Sequence, residues 1–291
     1  MFKGTYTALI TPFKTGEVDY AALGKLVDKQ LEAGVDGVVP CGSTGESATL
    51  SHDEHERVIA YVIERAKKRF KVIAGTGSNS TRESIRLTKF AKESGADGAL
   101  LIAPYYNKPT QDGLYAHYTA IADAVALPQL VYNIPGRCAV NISSETTARL
   151  AKHPNIVGVK EASGSIEQIM RTIELCGPDF DVLSGDDGMA LPLIAVGGQG
   201  TIGVLPNILP RETVALVKAA LSGDFASARA LHYKLVPVMR ALFTETNPIC
   251  IKAAMALLGY CDGELRMPLT TITEPNMKLL RSALTGVGLL K

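Results

Sequence analysis

The stretch Ala33-Gly-Val-Asp-Gly-Val38 recurs in altered form as Ser94-Gly-Ala-Asp-Gly-Ala99. In each copy the small residue and the glycine are typical of a helix C-terminus, and the apolar residues around the aspartate are typical of a strand start. We call these residues, which end one helix and begin the next strand, a helix–strand joint. A joint that recurs along a chain indicates a succession of helix–strand units. We therefore interpret the sequence as alternating strands and helices.

Short apolar runs rich in Val, Ile and Leu account for the predicted strands. Eight runs start near Thr5, Asp36, Lys71, Gly98, Gln129, Ile156, Asp181 and Gly200. Runs that are apolar on both faces are typical of a buried parallel sheet. The intervening segments carry the capping-box patterns Ser51–Glu54, Ser80–Glu83 and Ser165–Gln168. Together they predict an α/β fold, a (β/α)8 TIM barrel. An open doubly wound sheet is the alternative, and the regular spacing favours closure.

The strand pattern stops near Asp224. Three later segments have helical periodicity, Phe225–Leu242, Pro248–Leu258 and Glu274–Leu284. We therefore divide the chain into a catalytic barrel, residues 1–223, and a C-terminal helical domain, residues 224–291, which forms a three-helix extension.

Composition excludes several classes of protein. The 291 residues carry a net charge of +1, which gives no reason to expect nucleic acid or an anionic membrane as a partner. No apolar run approaches the roughly 18 residues needed to cross a bilayer. The five cysteines are scattered and odd in number, so we expect a cytoplasmic protein without a disulfide framework.

Lys160 ends the apolar run Ile156-Val-Gly-Val-Lys-Glu-Ala162. Burying an ammonium group without a partner is costly, and desolvation lowers the pKa of an amine. Because a neutral amine attacks carbonyl carbons, the position predicts a covalent nucleophile. The alternatives are a lysine that reaches the barrel rim or one that pairs with Glu161.

In a barrel the carboxyl ends of the strands meet at one mouth, where active sites form. Backbone N–H groups of Ser43 and Thr44 suit a small carboxylate, and the hydroxyls of Thr44 and Tyr132 suit proton transfer. Arg137 suits a second carboxylate. Turn formation, a core tyrosine and a surface ion pair are the alternatives for these residues, and their convergence on one mouth favours the functional interpretation.

Metal and cofactor sites are poorly supported by the sequence. No histidine or tight carboxylate cluster joins the predicted mouth, and His52 and His55 lack a convergent third ligand. The pattern Gly198-Gln-Gly-Thr-Ile-Gly203 leads into a strand, unlike a dinucleotide-binding loop. We expect no cofactor and no metal.

Three motifs, Gly42-Ser-Thr-Gly-Glu-Ser47, Tyr132-Asn-Ile-Pro-Gly-Arg137 and Gly158-Val-Lys-Glu-Ala162, together resemble the dihydrodipicolinate synthase (4-hydroxy-tetrahydrodipicolinate synthase) family. The resemblance covers essentially the whole chain. The first and third motifs mark a wider superfamily of Schiff-base pyruvate lyases and aldolases. Arg137 is the narrower signal, because N-acetylneuraminate lyases lack an arginine there.

The resemblance implies that Lys160 forms a Schiff base with pyruvate, whose enamine attacks L-aspartate 4-semialdehyde in the first committed step of lysine (diaminopimelate) biosynthesis. It implies a proton relay of Tyr132, Thr44 and Tyr106, with Tyr106 reaching the neighbouring subunit's site in a homotetramer of two tight dimers. No external cofactor is implied.

The same resemblance implies the substrate contacts. Ser43 and Thr44 would bind the pyruvate carboxylate and Arg137 the semialdehyde carboxylate. Gly185 and the carbonyl of Ile202 would line the pocket. Many members have threonine at Ser43, and the backbone N–H is the same for either residue.

One branch of the family is feedback-inhibited by L-lysine at the tight-dimer interface. Its ligand residues correspond here to Ser47, Ala48, His52, His55, Asn79, Glu83 and Tyr105. The resemblance thus implies inhibition by L-lysine, with Glu83 pairing the ligand's ammonium. Ordinary polar groups of an interface are the alternative interpretation.

Two other functions stay open. The chain could be another pyruvate-dependent class I aldolase, such as an N-acetylneuraminate lyase, and Arg137 disfavours this. It could also be a non-catalytic paralogue that binds pyruvate-like metabolites, and the full set of Lys160, Tyr132, Thr44, Tyr106 and Arg137 disfavours that.

Overall fold

Eight parallel strands form the centre of the molecule. The computed structural model describes residues 1–291. Its barrel strands are β1 (Gly4–Ala8), β2 (Gly37–Val39), β3 (Lys71–Gly75), β4 (Gly98–Ile102), β5 (Gln129–Asn133), β6 (Ile156–Glu161), β7 (Asp181–Ser184) and β8 (Gly200–Gly203). They are hydrogen-bonded in the closed order β1-β8-β7-β6-β5-β4-β3-β2. The predicted closed barrel is confirmed, and every strand starts within one residue of its predicted position.

Twelve helices accompany the strands. They are α1 (Tyr20–Ala33), α2 (His52–Ala66), α3 (Thr81–Glu93), α4 (Gln111–Ala124), α5 (Pro135–Cys138), α6 (Ser144–Leu150), α7 (Ile166–Cys176), α8 (Ala190–Ala195), α9 (Pro210–Leu221), α10 (Phe225–Ala241), α11 (Ile249–Leu257) and α12 (Glu274–Gly286). None of them combines the length and apolar character that a membrane span needs.

The repeated joint has a structural reason in both copies. Gly34 and Gly95 follow α1 and α3 with φ of +75° and +93°, a backbone conformation that favours glycine. The aspartates bond to the neighbouring strand. Asp36 accepts a hydrogen bond of 2.8 Å from the Thr5 N–H, and Asp97 accepts one of 2.9 Å from the Val72 N–H. Each joint therefore fixes the register of two adjacent strands.

The capping-box predictions have mixed outcomes. Ser51 and Glu54 form the full box at the start of α2. Ser165 accepts a hydrogen bond from the Gln168 N–H, but the Gln168 side chain bonds elsewhere. The box at Ser80 is wrong, because its side chain makes no capping bond and Glu83 instead accepts a hydrogen bond from the Ser78 hydroxyl.

Strand residues alternate between two buried layers. One layer fills the barrel interior with ten apolar side chains, among them Leu130, Tyr132, Leu183 and Ile202. The other lies between the strands and the surrounding helices. In the register, Tyr132 on β5 pairs with Lys160 on β6, and Lys160 pairs with Leu183 on β7. Because both neighbours point inward, Lys160 also points into the barrel.

The three helices predicted after Asp224 correspond to α10, α11 and α12, with boundaries within two residues of the prediction. Helix α10 packs against α9 and α12. The larger apolar cluster includes residues on both sides of position 223, such as Val217, Leu235 and Ile251. The division into residues 1–223 and 224–291 stays a prediction, since the apolar core is continuous across it.

Candidate active site

Lys160 is a buried amine without a polar partner. Its side chain is 5% exposed, and the protein offers it no hydrogen bond and no ion pair. The ammonium nitrogen lies 4.2 Å from the centre of the Tyr132 ring. Burial lowers the pKa of Lys160 to about 7, although the Asp187 carboxylate opposes this shift. A large fraction of the amine is therefore neutral near pH 7.

The structure excludes the alternative interpretations of Lys160. Glu161 is on the other face of β6, where it accepts hydrogen bonds from the Asn133 amide and from the Ser163 N–H at 2.7 Å. It therefore does not pair with Lys160. Burial also excludes a side chain that extends to the rim.

Tyr132 lies beside Lys160 in the barrel interior. It is buried, and desolvation raises the pKa of its phenol while the nearby Arg137 charge opposes the shift. The hydroxyl therefore stays protonated at neutral pH and can donate or pass on a proton. A small cavity connects Tyr132 with the loop after β2, and its lining includes Gly42, Ser43 and Ser47.

Thr44 and Arg137 are held by one residue of the C-terminal segment. The Asn247 amide donates a hydrogen bond of 2.9 Å to Thr44 Oγ1, and the Asn247 carbonyl accepts one of 2.7 Å from Arg137 Nη2. Arg137 has no carboxylate within ion-pair distance, so its other N–H groups remain available for an anionic ligand. The predicted lysine, tyrosine, threonine and arginine are thus brought to one mouth.

Gly185, directly after β7, adjoins the lysine, and Ile202 lies on β8. A Cβ atom on Gly185 would lie 3.0 Å from Cε of Lys160. A residue with a side chain at position 185 would therefore crowd the lysine stem. Ile202 is fully buried in the interior cluster, next to Gly203 at the end of β8.

Two residues at this mouth were missed in the sequence. Asn247 precedes a proline at a helix start, and its pattern is that of an ordinary turn, so no sequence signal distinguished it. Asp187 follows the Ser184-Gly-Asp186 end of β7, and its position after a strand end was a usable signal. Asp187 is buried and accepts hydrogen bonds from the Val204 and Leu205 N–H groups.

Known proteins give the context for this geometry. The model of the dihydrodipicolinate synthetase family matches residues 1–286. The 4-hydroxy-tetrahydrodipicolinate synthase of Geotalea uraniireducens is 53% identical over the full length of both chains. The chain belongs to the dihydrodipicolinate synthetase family. It is accordingly an enzyme of that family's lyase type.

Solved structures of the family have the same fold. The pyruvate complex of the chloride-inhibited dihydrodipicolinate synthase from Acinetobacter baumannii is 45% identical, with a TM-score of 0.98 and full coverage of both chains. The lysine-bound synthase from Cyanidioschyzon merolae is 43% identical, with a TM-score of 0.97 and 99% coverage of both.

Tyr106, which the family resemblance assigns to a neighbouring subunit's site, is placed apart from Lys160. Its side chain is 90% exposed, and its φ of +73° is uncommon for a residue with a side chain. Such outliers concentrate at functional sites, where surrounding contacts hold them. Within one chain the ring lacks such contacts, which is consistent with a partner that covers it.

The residues that the family resemblance assigns to lysine binding are mostly grouped beside the loop after β2. His52 Nε2 lies 3.2 Å from Glu83, and the Asn79 amide donates a hydrogen bond of 3.1 Å to the Tyr105 carbonyl. Ser47 and Ala48 lie in the short 3-10 turn before α2. His55 is different, because its buried ring donates a hydrogen bond of 2.7 Å to the Gly75 carbonyl. His55 is therefore bonded to the barrel wall, and the other residues of this group remain available to a ligand.

Proposed function

We propose that this enzyme condenses pyruvate with L-aspartate 4-semialdehyde, as a 4-hydroxy-tetrahydrodipicolinate synthase. The observation that carries the proposal is the unpartnered, buried amine of Lys160 beside the Tyr132 ring. The pyruvate complex of the Acinetobacter baumannii relative supports pyruvate as the first substrate. The amine supplies the covalent chemistry itself, so the proposal includes no external cofactor and no metal.

In the proposed reaction Lys160 Nζ attacks C2 of pyruvate, and the ketone oxygen leaves as water to give a protonated imine. Loss of one methyl proton moves an electron pair toward the nitrogen and forms an enamine. Its terminal carbon bonds to the aldehyde carbon of the semialdehyde. The substrate's amino group then attacks the imine carbon, closes the ring and releases Lys160. Tyr132, Thr44 and Tyr106 pass the protons.

Binding of the two carboxylates follows from the same mouth. The N–H groups of Ser43 and Thr44 would hold the pyruvate carboxylate, and the free guanidinium donors of Arg137 the semialdehyde carboxylate. Gly185 and the Ile202 carbonyl would line the pocket. An Arg137→Met variant is therefore expected to raise KM for the semialdehyde far more than KM for pyruvate.

Borohydride reduction in the presence of pyruvate tests the nucleophile and the first substrate together. The intact mass should increase by one reduced pyruvate adduct, and Lys160→Ala should abolish the increase. Lys29→Ala is the matched control, because burial also lowers the pKa of Lys29 to about 8, but Lys29 lies outside the barrel and donates to the Asn207 carbonyl. Wild-type protein without an adduct would refute the proposal and favour a non-catalytic paralogue.

A second assay separates the related aldolases. Wild-type protein should consume pyruvate with L-aspartate 4-semialdehyde and should not cleave N-acetylneuraminate. The opposite result would assign the chain to the sialic acid lyases. Arg137, which has no acidic partner in the protein, favours the semialdehyde.

We also propose feedback inhibition by L-lysine, assembly as a homotetramer of two tight dimers, and a cytoplasmic location. The grouping of His52, Asn79, Glu83 and Tyr105 supports the first of these, as does the lysine-bound structure of the Cyanidioschyzon merolae relative. The exposed Tyr106 ring supports at least a dimer.

A further inference from the structure

Asp187 has one carboxylate oxygen satisfied and one oxygen free. Its Oδ2 accepts hydrogen bonds of 3.0 and 2.9 Å from the N–H groups of Val204 and Leu205. Its Oδ1 is buried and has no hydrogen-bond partner. A buried polar atom without a partner is costly, so the position of this oxygen requires an explanation.

The free oxygen, Oδ1 of Asp187, lies next to Gly203 at the end of β8. A Cβ atom on Gly203 would lie 2.1 Å from Oδ1, so glycine is needed there to leave room for the carboxylate. Gly185, two residues before Asp187, is in turn packed against the stem of Lys160. The ends of β6, β7 and β8 therefore place Lys160 and Asp187 in one buried region, where the two charges act on each other.

We infer that Asp187, although it lies beyond ion-pair distance from Lys160 Nζ, is the nearby anion that offsets the cation formed at Lys160, first as ammonium and then as the protonated pyruvate imine. The inference rests on the proposed function, because the imine is formed only if pyruvate reacts there. A fixed anion beside a developing cation stabilises it strongly in a site from which water is excluded. Tyr132 supplies a ring face to the same nitrogen, and a ring face alone is a weaker partner for a cation than a carboxylate.

The charges around the pair are few. Arg137, from the loop after β5, lowers the pKa of Lys160 and repels the same cation. Burial raises the pKa of Asp187 to about 6, with Asp186 adding to the shift and Lys160 opposing it. Glu161 faces away. Asp187 is thus a carboxylate whose charge raises the pKa of Lys160.

The test is the exchange of pyruvate methyl protons with D2O, followed by NMR against pH without the second substrate. Asp187→Asn keeps an oxygen that can accept from Val204 and Leu205 but removes the charge. The midpoint of the acidic limb should move down by about one pH unit, because the anion that favours protonated Lys160 is gone. The maximal exchange rate should fall about tenfold or more, because the imine loses the nearby anion.

Asp179→Asn is the matched control. It removes an equal charge from an exposed position before β7, at the opposite end of the strand from Asp187, and it should leave the midpoint unchanged. An Asp187→Asn variant with the wild-type midpoint and rate would overturn the inference, as would an equal shift in both variants. If Asp187→Asn does not fold, as judged by circular dichroism, the smaller and equally uncharged Asp187→Ser replaces it. Wild-type protein that shows no exchange and no borohydride adduct would instead refute the proposed function.

Discussion

The Asn247 side chain donates a hydrogen bond of 2.9 Å to Thr44 Oγ1 across 203 residues of sequence. Thr44 lies in the loop after β2, and Asn247 lies two residues before the start of α11. The backbone carbonyl of the same asparagine holds Arg137. The C-terminal segment therefore positions two of the proposed substrate-binding residues, although it contributes no strand to the barrel.

Asn247→Ala should impair catalysis more than stability. Loss of one buried hydrogen bond costs about 1 kcal/mol of unfolding free energy. Because Thr44 loses its fixed side-chain partner, while the backbone carbonyl of residue 247 still holds Arg137, we expect kcat/KM to fall about tenfold. Steady-state kinetics and urea unfolding measure the two effects.

Asn276→Ala is the control for this change. Its amide donates a hydrogen bond of 2.8 Å to Glu245, in the same C-terminal segment but with no contact to the mouth. It should lose similar stability and keep the wild-type kcat/KM. Equal loss of activity in the two variants would contradict a specific positioning role for Asn247.

The Asn247 hydrogen bonds are one tether between the C-terminal segment and the barrel, and a buried ion pair is a second. Lys252 on α11 pairs with Glu46 in the loop after β2, and both side chains are essentially unexposed. Lys252→Met leaves the Glu46 carboxylate buried without its partner and should destabilise the protein by about 3 to 5 kcal/mol. Denaturant unfolding measures this loss.

The double variant Glu46→Gln with Lys252→Met checks the cause. Removing both charges avoids the unpaired carboxylate, so much of the lost stability should return. The glutamine keeps an oxygen for the Arg266 N–H, which now bonds to Glu46 at 3.1 Å. A double variant as unstable as Lys252→Met alone would show that packing of the lysine stem, and not charge, is what matters.

The barrel was predictable because its signals are local. The joint at residues 33–38, the period of the strands and the strand-end position of Lys160 are all properties of short segments. The tethers were not predictable, because Glu46, Asn247 and Lys252 acquire their roles only when distant segments meet. The false capping box at Ser80 has the same cause, since Ser78 attracts the Glu83 carboxylate that the local pattern assigns to the helix start.

Burial of Lys160 should lower stability at neutral pH. The pKa is about 7 in the folded state and ordinarily 10.5. Between these values the unfolded chain binds a proton that the folded chain lacks, so wild-type stability rises as the pH rises through this window. Lys160→Met should therefore be more stable than wild type by about 2 to 4 kcal/mol at pH 7, with the gain fading toward pH 10.

Unfolding in urea across this pH range measures the difference. The control is Lys3→Met, at an exposed position, whose free energy of unfolding should change with pH in the same way as that of wild type. A constant gain for Lys160→Met at all pH values would contradict the linkage and indicate better packing alone.

Glu83→Gln should weaken inhibition by L-lysine. A carboxylate bonds an ammonium more strongly than an amide does, so we expect the lysine concentration for half-inhibition to rise about tenfold or more. Inhibition curves for each variant, relative to its own uninhibited rate, measure the effect. The control is Glu93→Gln, which changes an exposed carboxylate near the end of the same helix and should be inhibited by L-lysine like wild type. If L-lysine inhibits Glu83→Gln as strongly as wild type, Glu83 does not contact the ligand.

The exposed Tyr106 predicts sites shared between subunits. If each site takes Lys160 from one chain and Tyr106 from its partner, Lys160→Ala and Tyr106→Phe should each have low activity alone. A mixed dimer of the two contains one intact site, so equal co-expression should restore about one quarter of wild-type activity. Lys160→Ala mixed with Tyr132→Phe is the control and should restore nothing, because both residues lie beside each other in one chain. Mixed dimers purified through two different affinity tags that stay inactive would contradict the shared site.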